Sequence, residues 1–313
     1  MGRYIFGIDI GGTTVKCGLF TGEGELLEKW EIATRREEKG AHILSDVAAA
    51  ILAKCEEKGI EKEEVKGIGL GIPGPVRADG TVLKCANLGW GITPATKIMQ
   101  ELTGFPVKAG NDANVAALGE MWKGGGRGFE DVIMITLGTG VGGGVILGGH
   151  MVAGSNGAGG EIGHIIVNGS EEELCGCGGH GHLEQYASAT GIVRMAKKCL
   201  ERESAQTKLR EFENLSAKNI FDCAREGDAL ACELVDALGT YLALALSHVA
   251  ATVDPQVFVI GGGVSRAGEI LLDAVSRHYN ENILFALQNK EFRLAELGND
   301  AGIYGSAKLA AEL

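Results

Sequence analysis

The sequence has no excess of positive charge. Its 313 residues include 29 Lys and Arg against 41 Asp and Glu, which gives a formal net charge of −12 at pH 7. Non-specific binding to DNA or RNA depends on a basic field that displaces counterions from phosphates. The charge balance therefore disfavours a nucleic-acid partner.

The sequence also lacks the marks of an exported or membrane-bound chain. No charged start leads into an apolar signal core, because "YIFGIDIGG" at 4–12 turns glycine-rich after a few apolar residues. The one membrane-like stretch, 237–253, contains His248 and follows Glu233 and Asp236 on the same helical pattern. A buried helix explains this stretch better than a membrane span. We expect a cytoplasmic protein with no membrane partner.

A disulfide framework is missing as well. Six of the eight cysteines are scattered through core-like segments, where reduced cysteine behaves as a small hydrophobic residue. These six are Cys17, Cys55, Cys85, Cys199, Cys223 and Cys232. Such usage indicates a reducing compartment.

No low-complexity linker divides the chain, although its length allows two domains. Strands and helices alternate, which predicts an α/β fold. "YIFGIDIGGTTVKCGLF" at 4–20 predicts two strands joined by a tight glycine turn, and 131–152 repeats this plan as an internal duplication. We predict an N-terminal lobe at 1–114 and a larger lobe at 115–299. A final helix at 300–313 could rejoin the first lobe.

Glycine, in contrast, is abundant: the 50 glycines are about twice the usual share. "GTGVGG" at 138–143 satisfies G-x-G-x-x-G, but a dinucleotide site needs a helix next, whereas 142–152 predicts a returning strand. A G-x-x-x-x-G-K-[ST] loop is also missing. The turns at 11–13 and 138–140 can instead expose backbone N–H groups that grip phosphates. Two ordinary hairpins are the alternative reading.

"GNDANVAALGE" at 110–120 places Asn111 and Asp112 after a predicted strand and before a helical pattern. Ligands collect at this position in open α/β sheets, so Asp112 is the catalytic candidate. An Asp here is also a common helix N-cap, because its oxygen accepts bonds from free backbone N–H groups.

"ELCGCGGHGHLE" at 173–184 brings Cys175 and Cys177 together with two histidines, and His164 lies upstream. Zinc takes four Cys or His ligands, and flexible glycines let them converge. Zinc is favoured over a redox pair, which would more usually read C-x-x-C. Spacing leaves open whether His180 or His182 completes the set.

These motifs together resemble the ROK family of repressors and sugar kinases, in particular its bacterial glucokinases, across essentially the whole chain. The resemblance rests on "DIGGTTVK" at 9–16, "GNDAN" at 110–114, "TLGTGVGGG" at 136–144, "GEIGHI" at 160–165 and "CGCGGHGHLE" at 175–184. It implies an α/β actin-like ATPase fold, a duplicated ribonuclease H-like plan of two lobes, with nucleotide and sugar meeting in the cleft.

The resemblance also implies residue roles. Asp112 would be the catalytic base. Sugar ligands would be Asn87, Asn111, Asp112, Glu161, His164 and Glu184. Asp9 would contact Mg²⁺ through a bridging water. Phosphate contacts would come from Gly11, Gly12, Thr13, Lys16, Gly138, Thr139 and Gly140, with Gly261 and Gly262 beside the adenosine. A structural Zn²⁺ would be held by His164, Cys175, Cys177 and His182, where the family usually has cysteine in place of His182.

The implied activity is phosphorylation of glucose at its 6-hydroxyl by Mg²⁺ and ATP, in a homodimer. A kinase for fructose, mannose or an N-acylated hexosamine is the nearest alternative. A non-enzymatic sugar-responsive repressor would need a DNA-reading helix-turn-helix before the first strand, which starts by Tyr4. A zinc hydrolase would need an open metal position, which four protein ligands do not leave.

Overall fold

The protein forms two compact units in a computed structural model that describes residues 2–202, 206–281 and 283–313. The first unit comprises Met1–Glu130, Gly144–Gly160 and Leu297–Leu313. The second comprises Asp131–Gly143 and Glu161–Glu296. The chain thus passes from one unit to the other more than once.

The secondary structure alternates between strands and helices, as the sequence predicts. The strands are β1 (Tyr4–Ile10), β2 (Thr14–Thr21), β3 (Leu26–Ala33), β4 (Val65–Ile72), β5 (Thr81–Val82), β6 (Thr93–Pro94), β7 (Val107–Asn111), β8 (Val132–Leu137), β9 (Val141–Leu147), β10 (His150–Met151), β11 (Val257–Gly261) and β12 (Glu291–Leu294). The helices are α1 (Glu37–Gly40), α2 (Ile43–Lys58), α3 (Ala95–Thr103), α4 (Asp112–Lys123), α5 (Glu184–Ala187), α6 (Ala189–Arg202), α7 (Ala217–Arg225), α8 (Ala229–Val253), α9 (Glu269–Glu281) and α10 (Ala301–Ala311).

Two five-stranded sheets follow the same plan. The first has the order β3–β2–β1–β4–β7, and the second has the order β10–β9–β8–β11–β12. In the first, β1 pairs antiparallel with β2 and parallel with β4. In the second, β11 pairs parallel with both β8 and β12. Numbered within its own sheet, each order reads 3-2-1-4-5, which confirms the predicted internal duplication.

Both faces of the first sheet are packed. Successive side chains along a strand point to opposite faces, so β1 contributes to two clusters. On one face, Phe6 and Ile8 of β1 belong to the same buried cluster as Val47 of α2. On the other face, Ile5 of β1 packs in a second cluster with Ile303 of α10. The C-terminal helix therefore completes the core of the first unit.

Contacts divide the chain differently from a single boundary at Asn114. Helix α4, which begins at Asp112, packs along α10 within the first unit, and that unit extends to Glu130. A duplicated sequence plan gives no signal for this, because the packing of α4 on α10 joins segments far apart in the chain.

Glycines allow α10 to approach its neighbours at backbone distance. A Cβ atom on Gly305 would overlap the carbonyl oxygen of Val115 in α4, and one on Gly69 of β4 would overlap that of Ser306. The hydroxyl of Ser306 also donates a hydrogen bond of 2.8 Å to the carbonyl oxygen of Ile8. Close packing here depends on glycine, which has no side chain, at both positions.

We expect Gly305→Ala to lower the unfolding free energy by about 3 kcal/mol, because overpacking against rigid backbone cannot relax. Helix propensity alone would favour Ala by about 1 kcal/mol, so the two effects have opposite signs. Thermal unfolding measures the change, with Gly91→Ala as the control because a Cβ there meets open space. An unchanged or raised melting temperature for Gly305→Ala would contradict the packing argument.

Helix α8 is long and apolar enough to cross a membrane by length and composition alone. More than half of its most apolar window is buried inside the protein, and it packs on α7 and α9 of the second unit. This burial agrees with the predicted core helix.

The long helix expected from about Leu183 to Arg202 is interrupted. Ser188 has an extended backbone, with φ −92° and ψ 170°, and separates α5 from α6. Its hydroxyl accepts a hydrogen bond from Gly191 N at 2.9 Å and donates one of 2.6 Å to Glu184 O. Serine favours such local bonds over a continuous helix, which apolar periodicity does not reveal.

Candidate active site

The first glycine turn, Gly11–Thr13, connects β1 to β2 in the first unit. Its conformation is fixed by Thr34, which follows β3. The Thr34 hydroxyl donates to Gly11 O at 2.7 Å, and Thr34 N donates to Thr13 O at 3.0 Å. A Cβ on Gly12 would lie 3.9 Å from the Cβ of Asn87, so the predicted sugar ligand Asn87 lies beside this turn.

Asp9 and Lys16 face each other across the hairpin as register partners. Burial raises the pKa of Asp9, and the positive charge of Lys16 opposes this shift. The Lys16 ammonium also donates to Asn299 O at 2.8 Å, which connects the hairpin to the segment before α10. The result is a carboxylate in a low-dielectric setting, where a cation interacts strongly with it.

Asp112 begins α4 directly after β7, but the helix is capped by its neighbour. The side chain of Asn111 accepts the bond from Asn114 N at 3.1 Å, as an N-cap does. Asp112 Oδ1 accepts bonds from Ala113 N at 2.9 Å and from Asn111 Nδ2 at 3.0 Å. The N-cap is therefore Asn111 and not Asp112, which is the first residue of the helix.

The segment that carries Asn87 lies near Asp112. Burial, and to a smaller extent the Asp112 carboxylate, raises the pKa of the Cys85 thiol. Backbone bonds of 2.9 Å join Cys85 and Trp90 in both directions, and the Trp90 indole donates to Gly40 O at 3.0 Å. Asn87, Asn111 and Asp112 are thus all held on the first unit.

The second glycine turn, Gly138–Gly140, connects β8 to β9. Gly138 N donates to Gly140 O at 3.0 Å, and a Cβ on Gly140 would lie 2.5 Å from Glu184 Oε2. A larger residue at this position would require the Glu184 carboxylate to move. The turn and the predicted sugar ligand Glu184 are therefore neighbours within the second unit.

A cavity of about 390 Å³ lies next to the glycines that follow β11. Gly263 and Val264 line it together with Phe221 of α7 and Ala189 at the start of α6. Ala189 N also donates to Gly138 O at 2.8 Å, so the cavity adjoins the second turn. The glycine run pointed to this place, but the α7 residues carried no sequence signal beyond an amphipathic pattern.

Gly261 and Gly262 have packing roles beside the cavity. A Cβ on Gly261 would lie 3.0 Å from the Cβ of Ala295. Gly262 has φ +85°, and a Cβ there would lie 2.5 Å from Leu137 O. Gly263, one residue further on, has open space where its Cβ would be. The residue of this run with room for a ligand is therefore Gly263.

Four predicted metal ligands converge in the second unit. One ligand atom from each of His164, Cys175, Cys177 and His182 lies within 4.8 Å of all the others. His180 is outside this group and instead forms a backbone bridge with Leu174. The buried Nδ1 of His164 has no hydrogen-bond partner among the described residues, as suits an atom that binds a metal. The donor set and its spacing fit Zn²⁺.

The metal cluster adjoins two predicted sugar ligands. Burial raises the pKa of the Cys175 thiol to about 12, and its Sγ donates to Glu184 Oε1 at 2.7 Å. The Nε2 atom of His164 lies 3.8 Å from Glu161 Oε2. His164, Glu161 and Glu184 are therefore grouped around the loop that carries the cysteines.

Polar contacts that the sequence did not reveal brace this loop. Arg194 of α6 forms ion pairs of 2.7 Å with both Glu171 and Glu173. Burial alone would raise the pKa of Glu171, but hydrogen bonds from Arg194 and Tyr186 outweigh burial and lower it to about 2. Gln185 accepts from His182 N at 3.0 Å and donates to Glu173 O at 2.9 Å. The loop is thereby tied to α5 and α6.

Comparison with known proteins identifies the family. The model described as the ROK family matches residues 5–312. The chain belongs to the ROK family. A glucokinase from Halalkalibacterium halodurans is 41% identical to this ROK protein over 99% of the chain and 96% of its own length.

Solved ROK structures share the fold. The glucokinase from Streptomyces griseus, in complex with glucose and AMPPNP, is 35% identical, covers 99% of this chain and 100% of its own, and has a TM-score of 0.74. The ROK hexokinase from Thermus thermophilus is 33% identical, covers 99% and 98%, and has a TM-score of 0.80. The predicted α/β fold of the actin-like ATPases is confirmed.

Relatives of lower identity differ in function. An N-acetylgalactosamine kinase from Shewanella is 31% identical over 97% of this chain and 96% of its own. A xylose repressor from Caldicellulosiruptor bescii is 28% identical, and the match spans 76% of its length. The ROK family thus includes kinases for different sugars as well as regulators.

Proposed function

We propose that this ROK protein is a hexose kinase that transfers the γ-phosphoryl group of ATP to the 6-hydroxyl of glucose. The similarity to glucokinases over nearly the full chain supports this activity. The observation that carries it in this structure is the second turn, whose carbonyl at Gly138 is bonded to the rim of the 390 Å³ cavity through Ala189. A nucleotide with its base in the cavity would have its phosphates at the second turn.

The two glycine turns would bind the phosphates through their backbone N–H groups. Contacts are assigned to Gly11, Gly12, Thr13, Lys16, Gly138, Thr139 and Gly140. The glycine run at Gly261 and Gly262 would shape the adenosine site, with Gly263 forming its wall. Asp9 would face the metal of Mg²⁺-ATP through water, and Mg²⁺ supplies neutralising charge to the phosphates.

Asp112 would act as the general base, accepting the proton of the 6-hydroxyl as that oxygen attacks phosphorus in line. Two hydrogen bonds to its Oδ1 fix the carboxylate at the start of α4. The N-cap of this helix is Asn111, so Asp112 stands one residue further on, at the first position of α4. Positioning and electrostatics carry most of the rate enhancement in phosphoryl transfer.

The hexose would be bound by side chains that can pair with a ring of hydroxyls. These are Asn87, Asn111, Asp112, Glu161, His164 and Glu184. Discrimination follows because an analogue that lacks a hydroxyl leaves a buried polar group unpaired, at a cost of about 1–3 kcal/mol each.

A structural Zn²⁺ would be held by His164, Cys175, Cys177 and His182. His164 Nδ1 is the orphaned buried atom, so its Nε2 would stay available on the side of Glu161. Four protein ligands leave no open position for a reacting water. The role assigned to the metal is therefore to hold the loop that carries these side chains.

Coupled assays of ADP release on a panel of hexoses test the function. We expect glucose with ATP to give the highest kcat/KM among glucose, mannose, fructose and N-acylated hexosamines, each with ATP, GTP or polyphosphate. A higher value for another hexose would keep the kinase and change its substrate. No ADP release with any hexose would favour a sugar-responsive regulator.

The leucine variant Gly263→Leu tests the adenosine site. A Cβ at this position meets nothing within 4 Å and φ is not positive, so the larger side chain should fill the cavity without disturbing the fold. We expect the KM for ATP to rise about tenfold or more, with the melting temperature and glucose affinity unchanged. The control is Gly169→Leu, which is equally open and exposed. An unchanged KM for ATP would remove the cavity from the nucleotide site.

We also propose a cytoplasmic homodimer, since the free cysteines fit a reducing compartment and the family resemblance implies homodimers or tetramers. Light scattering coupled to size exclusion measures the assembly, and a monomeric mass at micromolar concentration would contradict it.

A further inference from the structure

The two glycine turns are held in the same way, each by a threonine from another segment of the chain. In the first turn, the Thr34 hydroxyl donates to the carbonyl of Gly11 at 2.7 Å. In the second turn, the Thr190 hydroxyl donates to the carbonyl of Thr139 at 2.6 Å. Thus a threonine hydroxyl bonds a turn carbonyl in each of the two units, although the threonines come from unrelated positions in the chain.

The segment that carries each threonine also donates a backbone hydrogen bond to the same turn. Thr34 N donates to Thr13 O at 3.0 Å, and Ala189 N, next to Thr190, donates to Gly138 O at 2.8 Å. Two carbonyl groups per turn are therefore held on the side of these segments. Neither Thr34 nor Thr190 belongs to the family motifs that suggested phosphate binding.

Holding a carbonyl fixes the N–H of the next residue. The peptide unit is planar and trans, so a C=O and the following N–H point in opposite directions. The bond to Gly11 O orients Gly12 N, and the bonds to Gly138 O and Thr139 O orient Thr139 N and Gly140 N. Among the described residues, these three N–H groups donate no hydrogen bond to a backbone carbonyl. They point away from the threonine side, as an anion site needs.

We propose that Thr34 and Thr190 are positioning residues that aim the N–H groups of the two turns at the phosphates of the bound nucleotide. The proposal rests on the proposed kinase function, which it deepens by naming what orients the phosphate donors. Thr34 serves the first turn and Thr190 the second. Neither hydroxyl is assigned a contact with the nucleotide itself.

Loss of the Thr190 hydroxyl should affect phosphate binding and not the stability of the fold. The Thr190 side chain is exposed, so water can replace its hydroxyl at the Thr139 carbonyl without leaving a buried group unpaired. Global stability should hardly change, whereas the peptide between Thr139 and Gly140 becomes free to turn. Binding of phosphates should weaken while binding of the nucleoside does not.

The test compares nucleotides with different numbers of phosphates. Titration calorimetry measures the affinities of adenosine, ADP and AMPPNP for the wild type, Thr34→Val, Thr190→Val and the double variant. We expect each single variant to weaken ADP and AMPPNP about tenfold and the double variant about a hundredfold, with adenosine unchanged within twofold. Thr34→Ser and Thr190→Ser keep the hydroxyl and should stay within threefold of the wild type.

The matched control is Thr240→Val, because Thr240 also donates its hydroxyl to a backbone carbonyl, that of Asp236, at an exposed position on α8. It should change no affinity. Thr34→Ala and Thr190→Ala provide second variants should either valine disturb folding. Wild-type affinity for ADP in the valine and alanine variants, or an equal loss for adenosine, would overturn the proposal. A wild type that releases no ADP with any hexose would instead refute the kinase function itself.

Discussion

The substitution Asp112→Asn is expected to lower kcat by about 10³-fold or more while glucose still binds. An amide cannot accept the 6-hydroxyl proton, and general-base catalysis contributes about 10²–10⁴-fold. Asn has the same shape as Asp, and its Oδ1 can accept the same bonds from Ala113 N and Asn111 Nδ2. Steady-state kinetics measures kcat, and calorimetry measures the glucose affinity.

Stability separates this prediction from simple misfolding. Because Asn111 caps α4, the melting temperature of Asp112→Asn should match that of the wild type. The control is Asp46→Asn, which changes an acidic residue in the first turn of α2 that pairs with Arg35. It should leave kcat unchanged, because Asp46 is not a predicted site residue and an exposed ion pair contributes little to stability. If Asp112→Asn kept more than a tenth of the wild-type kcat, the base would have to be sought elsewhere.

The catalytic candidate illustrates what local sequence can and cannot give. The sequence places Asn111 and Asp112 after a predicted strand and before a helical pattern, and β7 and α4 follow that order. Either Asn111 or Asp112 has the chemistry of an N-cap, so pattern alone could not assign the cap. The assignment depends on which side chain reaches Asn114 N, a matter of backbone geometry.

The turns show a similar limit. The duplicated strand-turn-strand plan was predictable because it is written in consecutive residues. The contacts of Thr34 and Thr190 were not predictable. Thr34 lies 23 residues from the carbonyl to which it donates, and Thr190 lies 51 residues from its acceptor. Contacts made by folding leave no periodic trace. The α7 side of the cavity escaped prediction for the same reason. The break at Ser188 escaped it for a different one, because the bonds of its hydroxyl are local and leave the apolar periodicity unchanged.

The metal cluster is the second place where a large effect is expected. Cys177→Ser should reduce bound zinc from about one ion per chain to near zero, because a neutral hydroxyl replaces a thiolate ligand. We also expect kcat/KM for glucose to fall about 100-fold, since the loop carries Glu184 and adjoins His164 and Glu161. Elemental analysis measures the zinc, and the coupled assay measures the activity.

Two further variants make the zinc prediction specific. Cys232→Ser changes another exposed cysteine, outside the four-residue cluster, and should alter neither zinc content nor activity. His182→Cys restores the ligand that the family usually has, and zinc should remain bound because thiolate is a strong zinc ligand. Braces from Arg194 and Gln185 should keep the loop folded in Cys177→Ser, so its melting temperature should fall only slightly. Full zinc content in that variant would show that the cluster is not the zinc site. Full activity in zinc-free protein would show that those braces alone hold Glu184 and His164 in place.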